Sequence, residues 1–187
     1  MTATGPRAGP RSPTQHCPAW PGDGWADADR LQAVRHGEIR RLALAVREIT
    51  KALKTNRREL HELVEQIAPG LTERPGIGPV SAAQVVVSFS HPGRVRNDAA
   101  FAALAGTSPI PASSGQTTRH RLNRGGDRAL NRAIHTIALT RMRSCARTRA
   151  YVERRTAEGK TSREIRRVIK RYITRELYRT LTAAMTP

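Results

Sequence analysis

The chain has 187 residues, room for one compact domain and an extension. Thirty-three Lys and Arg against 15 Asp and Glu leave a formal charge of +18 and a pI near 11.6, so the surface will seek polyanions. No apolar run approaches the ~20 residues of a membrane span, and the first residues lack the continuous apolar core of a secretory leader. Two cysteines, Cys17 and Cys145, cannot build a disulfide framework or a four-ligand zinc site, and the expected location is a reducing cytoplasm. Aromatic residues make up only 4%, which argues against a base-stacking platform for single strands.

Residues 1–25 are rich in Pro, Gly, Ala and Thr without periodicity, and are expected to be a disordered tail despite Trp20 and Trp25. A long helix is expected over 26–68. Its apolar positions Ile39, Leu42, Val46, Ile49, Leu53, Leu60, Leu63 and Ile67 alternate three and four apart, with Asn56 filling the wide step. Such an a/d seam reads as a coiled coil whose single Asn fixes register. The competing reading is an amphipathic helix packed on its own domain.

Pro69 and Gly70 end that helix, and a helical domain follows over 69–187. Its opening, Pro75-Gly76-Ile77-Gly78-Pro79-Val80-Ser81, reads as a helix-hairpin-helix over 71–90. The glycines permit a tight hairpin, Ile77 plugs it, and Pro79 suits the first turn of a helix. Backbone N–H groups at such a helix start bind phosphate whatever the base sequence. Gly76, Gly78, Val80 and Ser81 are therefore candidate nucleic-acid contacts, against the plainer reading of an ordinary inter-helix turn.

Asn97-Asp98 should cap a short helix through Phe101 and Leu104, stopped by Gly106. Residues 107–126 read as a long loop, which inside a compact domain is usually functional or disordered. It holds Ser113-Ser114-Gly115 and then Arg119-His120-Arg121-Leu122-Asn123-Arg124. A serine hydroxyl needs help to attack, and fixed cations can stabilise the charge it transfers while holding a phosphodiester. His120 is the only nearby side chain able to take its proton. Basic helices follow over 127–184: one capped by Asp127 with Leu130, Ile134, Ile137 and Met142 on one face, one around Tyr151, and a last one opened by the capping box Thr161-Ser162-Arg163-Glu164. The inner face of the last helix is expected to be Ile165, Val168, Ile169, Tyr172, Ile173, Leu177 and Leu181. The fold class is all-α, with no alternating strand runs. Residues 70–187 carry 22 basic and seven acidic side chains, so the polyanion face belongs there.

A coiled-coil helix, Pro-Gly-Ile-Gly-Pro, Phe101-Ala-Ala-Leu-Ala-Gly106, Pro109, Ser114-Gly115 and the basic stretch from Arg119 occur here in the order that marks a family. The chain resembles the C-terminal half of the IS110 insertion-sequence transposases and their IS116 and IS902 relatives, over roughly 35–182. The resemblance implies DNA transposition by a serine that attacks DNA, which places the nucleophile on Ser114, with Ser113 as the alternative. It implies phosphate clamping by Arg119, Arg121, Arg124, Arg128 and Arg132, against the reading that some of them are a solvated helix face. Duplex DNA is the implied partner, together with a structured guide RNA and another copy or a full-length transposase joined through the coiled coil.

The family pairs this half with an N-terminal RuvC-like domain whose carboxylates hold metal. Here Asp23, Asp27 and Asp29 sit in or beside the tail, and no strand-borne acids precede the long helix. The expectation is a truncated transposase with no metal site or cofactor of its own, Mg²⁺ being implied only through the other domain. It should bind nucleic acid without exchanging strands alone. Arg74 also stands where the family has an apolar residue. Two readings compete: a non-catalytic helix-hairpin-helix protein or inactive remnant, and a tyrosine recombinase fragment using Tyr151, Tyr172 or Tyr178 with His91-Pro-Gly-Arg94.

Overall fold

The computed structural model describes residues 24–111, 120–121, 123 and 125–186. Most of the expected tail, through residue 23, lies outside the described residues, as do Ser113, Ser114, Arg119 and Arg124. Six helices make up the described chain: α1 Gly24–Ile67, α2 Pro79–Phe89, α3 Asp98–Leu104, α4 Arg128–Ser144, α5 Ala146–Ala157 and α6 Ser162–Met185. The all-α expectation holds, with one small addition. Between α3 and α4, β1 (Ile110–Pro111) pairs antiparallel with β2 (His120–Arg121), Ile110 opposite Arg121 and Pro111 opposite His120. Two residues are too few to display an alternation, so the sequence shows only a loop there.

Two compact units divide inside α1, at residues 1–49 and 50–187. In the first, the seam residues Ile39, Leu42 and Ile49 are exposed at 63%, 53% and 60%. The second unit opens with the rest of α1. There Leu60 is half-buried, and Val64 and Ala68, four and eight residues on along the same face, are buried in the core. The seam positions Leu63 and Ile67 stay exposed. The heptad stripe and the core-facing stripe are thus neighbours on the helix, and they meet at Leu60.

No separate helix precedes the hairpin. Residues 68–76 are turns and bends, so the only helix within the expected 71–90 motif is α2. Glu65 ties this region to α1, accepting from Gly70 N at 2.8 Å and Thr72 Oγ1 at 2.6 Å. Ile77 is buried as expected. Gly76 has φ +76°, and a Cβ there would lie 3.0 Å from Arg141 Cγ and 3.1 Å from Ile137 O. This glycine lets the hairpin press against α4.

α4 is the central helix, touching α2, α5 and α6, while α3 lies on α6. Leu130, Ile134 and Ile137 are fully buried together with Phe89, Phe101, Leu177 and Leu181. Each such side chain contributes about 1.5–3 kcal/mol by leaving water. Phe89 and Phe101 meet edge to face at 5.7 Å, and Tyr178 closes the cluster at 6.1 Å from each. The expected caps form: Asn97 accepts from Ala100 N, Asp127 from Ala129 N and Leu130 N, and Thr161 with Glu164 makes the capping box. One inner-face assignment fails. Tyr172 is 57% exposed, because it lies at the edge of the α6 stripe, where it meets Tyr151 edge to face at 6.2 Å. Val168 and Met142 are half-buried.

Candidate nucleic-acid interface

The C-terminal end of α3 organises the region around the serine segment. Helix ends leave carbonyls without intrahelical partners, and here three separate groups take them up. Asn123 Nδ2 donates to Ala103 O at 3.3 Å, Asp127 N to Leu104 O at 2.7 Å, and Asn131 Nδ2 to Ala105 O at 2.6 Å. The chain leaving α3 turns at Gly106, φ +64°, and Thr107 Oγ1 lies 3.0 Å from Thr174 Oγ1 of α6. The chain returning from β2 presses on the same spot. A Cβ on Gly126 would lie 2.6 Å from Gly106 N and from Leu104 O, so only glycine permits this approach. The residues that flank segment 112–119 are therefore held, Pro111 and His120 by the β1–β2 pairing and Gly106 and Gly126 by these contacts.

Two clefts adjoin this anchor. One, of about 550 Å³, is lined by Gly106, Asn123, Gly126, Arg128, Asn131, Arg132, His135 and Lys170. The other, of about 300 Å³, runs from Thr107, Ser108 and Pro109 past Arg121 to Arg167, Val168, Lys170 and Tyr172. Of the arginines expected to clamp phosphates, Arg121, Arg128 and Arg132 line these clefts and are exposed. Among the described residues, no carboxylate lines either cleft.

Lys170 was not foreseen. It lies on α6 beside the buried Ile169, and among the described residues it is the only cation that lines both clefts. Its position four residues before Thr174, on the flank of the Ile165–Ile169–Ile173 stripe, was the available sequence signal. Nζ donates to Asn131 Oδ1 at 2.7 Å. Burial pushes the ammonium below the usual lysine range. His135 is likewise held below its ordinary value, first by burial and then by the charges of Lys170 and Arg166.

The start of α2 offers a different arrangement. Gly78 is the N-cap, Pro79 stands in the first turn, and no side chain caps the helix. The Arg57 guanidinium lies beside Gly78, 3.6 Å from where its Cβ would be. Gly78, Val80 and Ser81 thus occupy an uncapped helix start next to a cation, whereas Gly76 faces α4.

The acidic groups have other partners. Asp98 binds Arg175 at 3.0 Å and lies 3.9 Å from Arg171. Glu176 accepts from Arg141 at 2.6 Å and from Arg74 at 3.1 Å. That pairing gives Arg74 its place in the fold. Asp127 caps α4 and also accepts from Ser88 Oγ at 2.7 Å; this hydrogen bond is the first cause of its lowered pKa, with burial opposing and the α4 amides and Arg94 assisting. Among the described residues no three His, Cys, Asp or Glu gather to hold a metal ion.

The tyrosines and the His-x-x-Arg run have packing roles. Tyr178 OH donates to Val95 O, Tyr151 meets Tyr172 edge to face beneath Arg154, and Arg94 Nη1 donates to Ser88 O at 2.9 Å. No helix among the described residues is long and apolar enough to cross a membrane.

Residues 68–153 match the model of the transposase IS116/IS110/IS902 family. A protein of Streptomyces coelicolor, described as an insertion element IS110 uncharacterized 43.6 kDa protein, is 34% identical over 118 residues. That match covers 63% of this chain and 29% of the relative, so the chain spans under a third of the relative's length. The matched residues run from the end of α1 to α5 and include the α3 anchor, the serine segment and the start of the basic helices. Residues 68–153 are a transposase domain of the IS116/IS110/IS902 family.

Proposed function

We propose that this chain grips duplex DNA through the uncapped start of α2 and the cationic clefts beside α3, α4 and α6, and that Ser114 is the nucleophile of a DNA strand transfer. The observation that carries this reading is the antiparallel pairing of the residues that flank segment 112–119, beside clefts lined by Arg121, Arg128, Arg132 and Lys170 and, among the described residues, by no carboxylate. Loops carried on a rigid scaffold are where binding and catalytic residues are commonly placed. In the proposed step Ser114 Oγ forms a bond to phosphorus, the strand's own P–O bond breaks, and the departing hydroxyl leaves carrying a proton. The arginines neutralise charge but remove no proton.

Mg²⁺, which the resemblance attaches to this chemistry, does not fit the donor set of the described residues, since Asp98 and Glu176 are paired with arginines and Asp127 caps a helix. No step here runs through a metal held by this chain. In the proposed arrangement those carboxylates come from an RuvC-like domain, and the chain alone binds without exchanging strands. The test adds a full-length relative to supply them and looks for DNA covalently joined to this chain. Ser114→Ala should abolish the adduct and Ser113→Ala should leave it. An adduct that survives Ser114→Ala would overturn the assignment.

The apolar seam of α1 supports pairing with a second copy or with a full-length transposase. Its residues from Ile39 to Leu53 are exposed although the heptad pattern is that of a buried interface. Leu42→Asp with Leu53→Asp should convert an associated species to monomers in sedimentation runs. Leu60 is unsuited to this test because it is already half-buried. A wild-type chain that is monomeric at high concentration would rule out self-pairing.

A further inference from the structure

We infer that Lys170, with Asn131 and His135, forms a seat for a single backbone phosphate of the bound DNA, on the ridge between the two clefts. This inference rests on the DNA-binding reading above and adds to it a residue from α6, outside the matched domain. Four observations converge. Lys170 lines both clefts and is half-buried rather than left at the surface. Its single hydrogen bond among the described residues goes to Asn131 Oδ1, and an ammonium carries three donors, so two remain for a ligand. Asn131 is itself fixed, because its amide group donates to Ala105 O at 2.6 Å.

The fourth observation is charge. Arg128 and Arg132 from α4 line the same cleft as Lys170 from α6, and Arg166 of α6 acts on His135, with no carboxylate among the described cleft residues. A partly buried charge without a counter-ion is costly. A phosphate supplies the missing negative charge and acceptor oxygens in one group. The lowered His135 value agrees with that geometry: Lys170 and Arg166 of α6 act on the ring, while Arg128 and Arg132 of α4 line the same cleft.

The test measures binding of the chain to a DNA duplex of about 20 base pairs across a range of salt, for wild type, Lys170→Met and Lys170→Arg. Lys170→Met should lower affinity about tenfold near 100 mM salt and reduce the salt slope by about 0.9, the loss expected for one phosphate contact. Lys170→Arg should retain the slope. If wild type binds but Lys170→Met has the same affinity and slope, the seat is overturned while the DNA-binding reading stands.

If wild type shows no DNA binding, that reading falls and a second measurement decides the seat. Inorganic phosphate is then titrated while the His135 imidazole is followed by NMR. A rise of its pKa with phosphate, absent in Lys170→Met, upholds an anion seat. No rise overturns it. Should Lys170→Met fail to fold, Lys170→Gln serves in both arms with the same expected outcomes.

Discussion

Raising salt from 50 to 200 mM should lower the affinity of this chain for duplex DNA by about 10³. Residues 119–179 carry 19 basic and five acidic side chains, but the fold does not leave all of the cations free for a ligand. Arg74 and Arg141 are engaged by Glu176, and Arg171 and Arg175 by Asp98. Those remaining include Arg121, Arg128, Arg132, Arg167 and Lys170 around the clefts and Arg57 at the start of α2. If about six phosphates are neutralised, the slope of log affinity against log salt is about −5. An interface held by apolar burial would change little over this range, since added salt screens charges and leaves apolar contacts in place. A flat response, measured by anisotropy of a labelled duplex, would remove nucleic acid as the partner. It would not touch the family assignment, which rests on sequence similarity.

The parts of this fold visible in the sequence are those set by neighbours. Asn97, Asp127 and Thr161 cap helices because their side chains reach amides two or three residues on, so their spacing alone places α3, α4 and α6. Ile165, Ile169, Ile173, Leu177 and Leu181 are buried because a four-residue step keeps them on one face. Tyr172 fits the same periodicity yet is exposed, since period locates a stripe but not its width. The core-facing line of Val64 and Ala68 was hidden by the stronger heptad beside it.

The site is less legible. Pro75–Ser81 announces a hairpin, but that Gly76 faces α4 while Gly78 opens a helix depends on where α4 passes. Lys170 reads as one more cation in a basic helix until Asn131, 39 residues earlier in the chain, is placed beside it. The Arg74–Glu176 contact spans 102 residues, and no local pattern encodes it. Ser114, the residue with the most specific sequence context, lies outside the described residues, so its assignment rests on the resemblance and on the pairing of the residues that flank its segment.

Glu176→Ala should destabilise the 50–187 unit by about 3 kcal/mol, read as a lower urea midpoint. Arg141 has a side chain only 11% exposed, its Nε donates to Pro75 O at 2.7 Å, and its other nitrogens donate to both Glu176 oxygens. Removing the carboxylate leaves a nearly buried guanidinium with one partner, and Arg74 with none of its ion pair. Breaking one side of a buried pair costs more than the pair ever contributed, because the remaining charge keeps its desolvation penalty. Hence Glu176→Leu combined with Arg141→Met should recover much of the loss, while either change alone should not.

The same carboxylate makes the unit acid-sensitive. Burial raises the Glu176 pKa, but the hydrogen bonds and charges of Arg141 and Arg74 outweigh it, and the net shift is below the ordinary value of 4.5. A depressed folded value means that the contribution is fully present above 4.5 and is lost as pH falls through the folded value. Urea midpoints of wild type should therefore drop below that pH more steeply than those of the Glu176→Leu, Arg141→Met double variant. Equal acid sensitivity in the two proteins would show that this triad does not hold the hairpin to α4 and α6. The consequence reaches the interface through Pro75 and Gly76, which Arg141 holds in place directly before the uncapped start of α2.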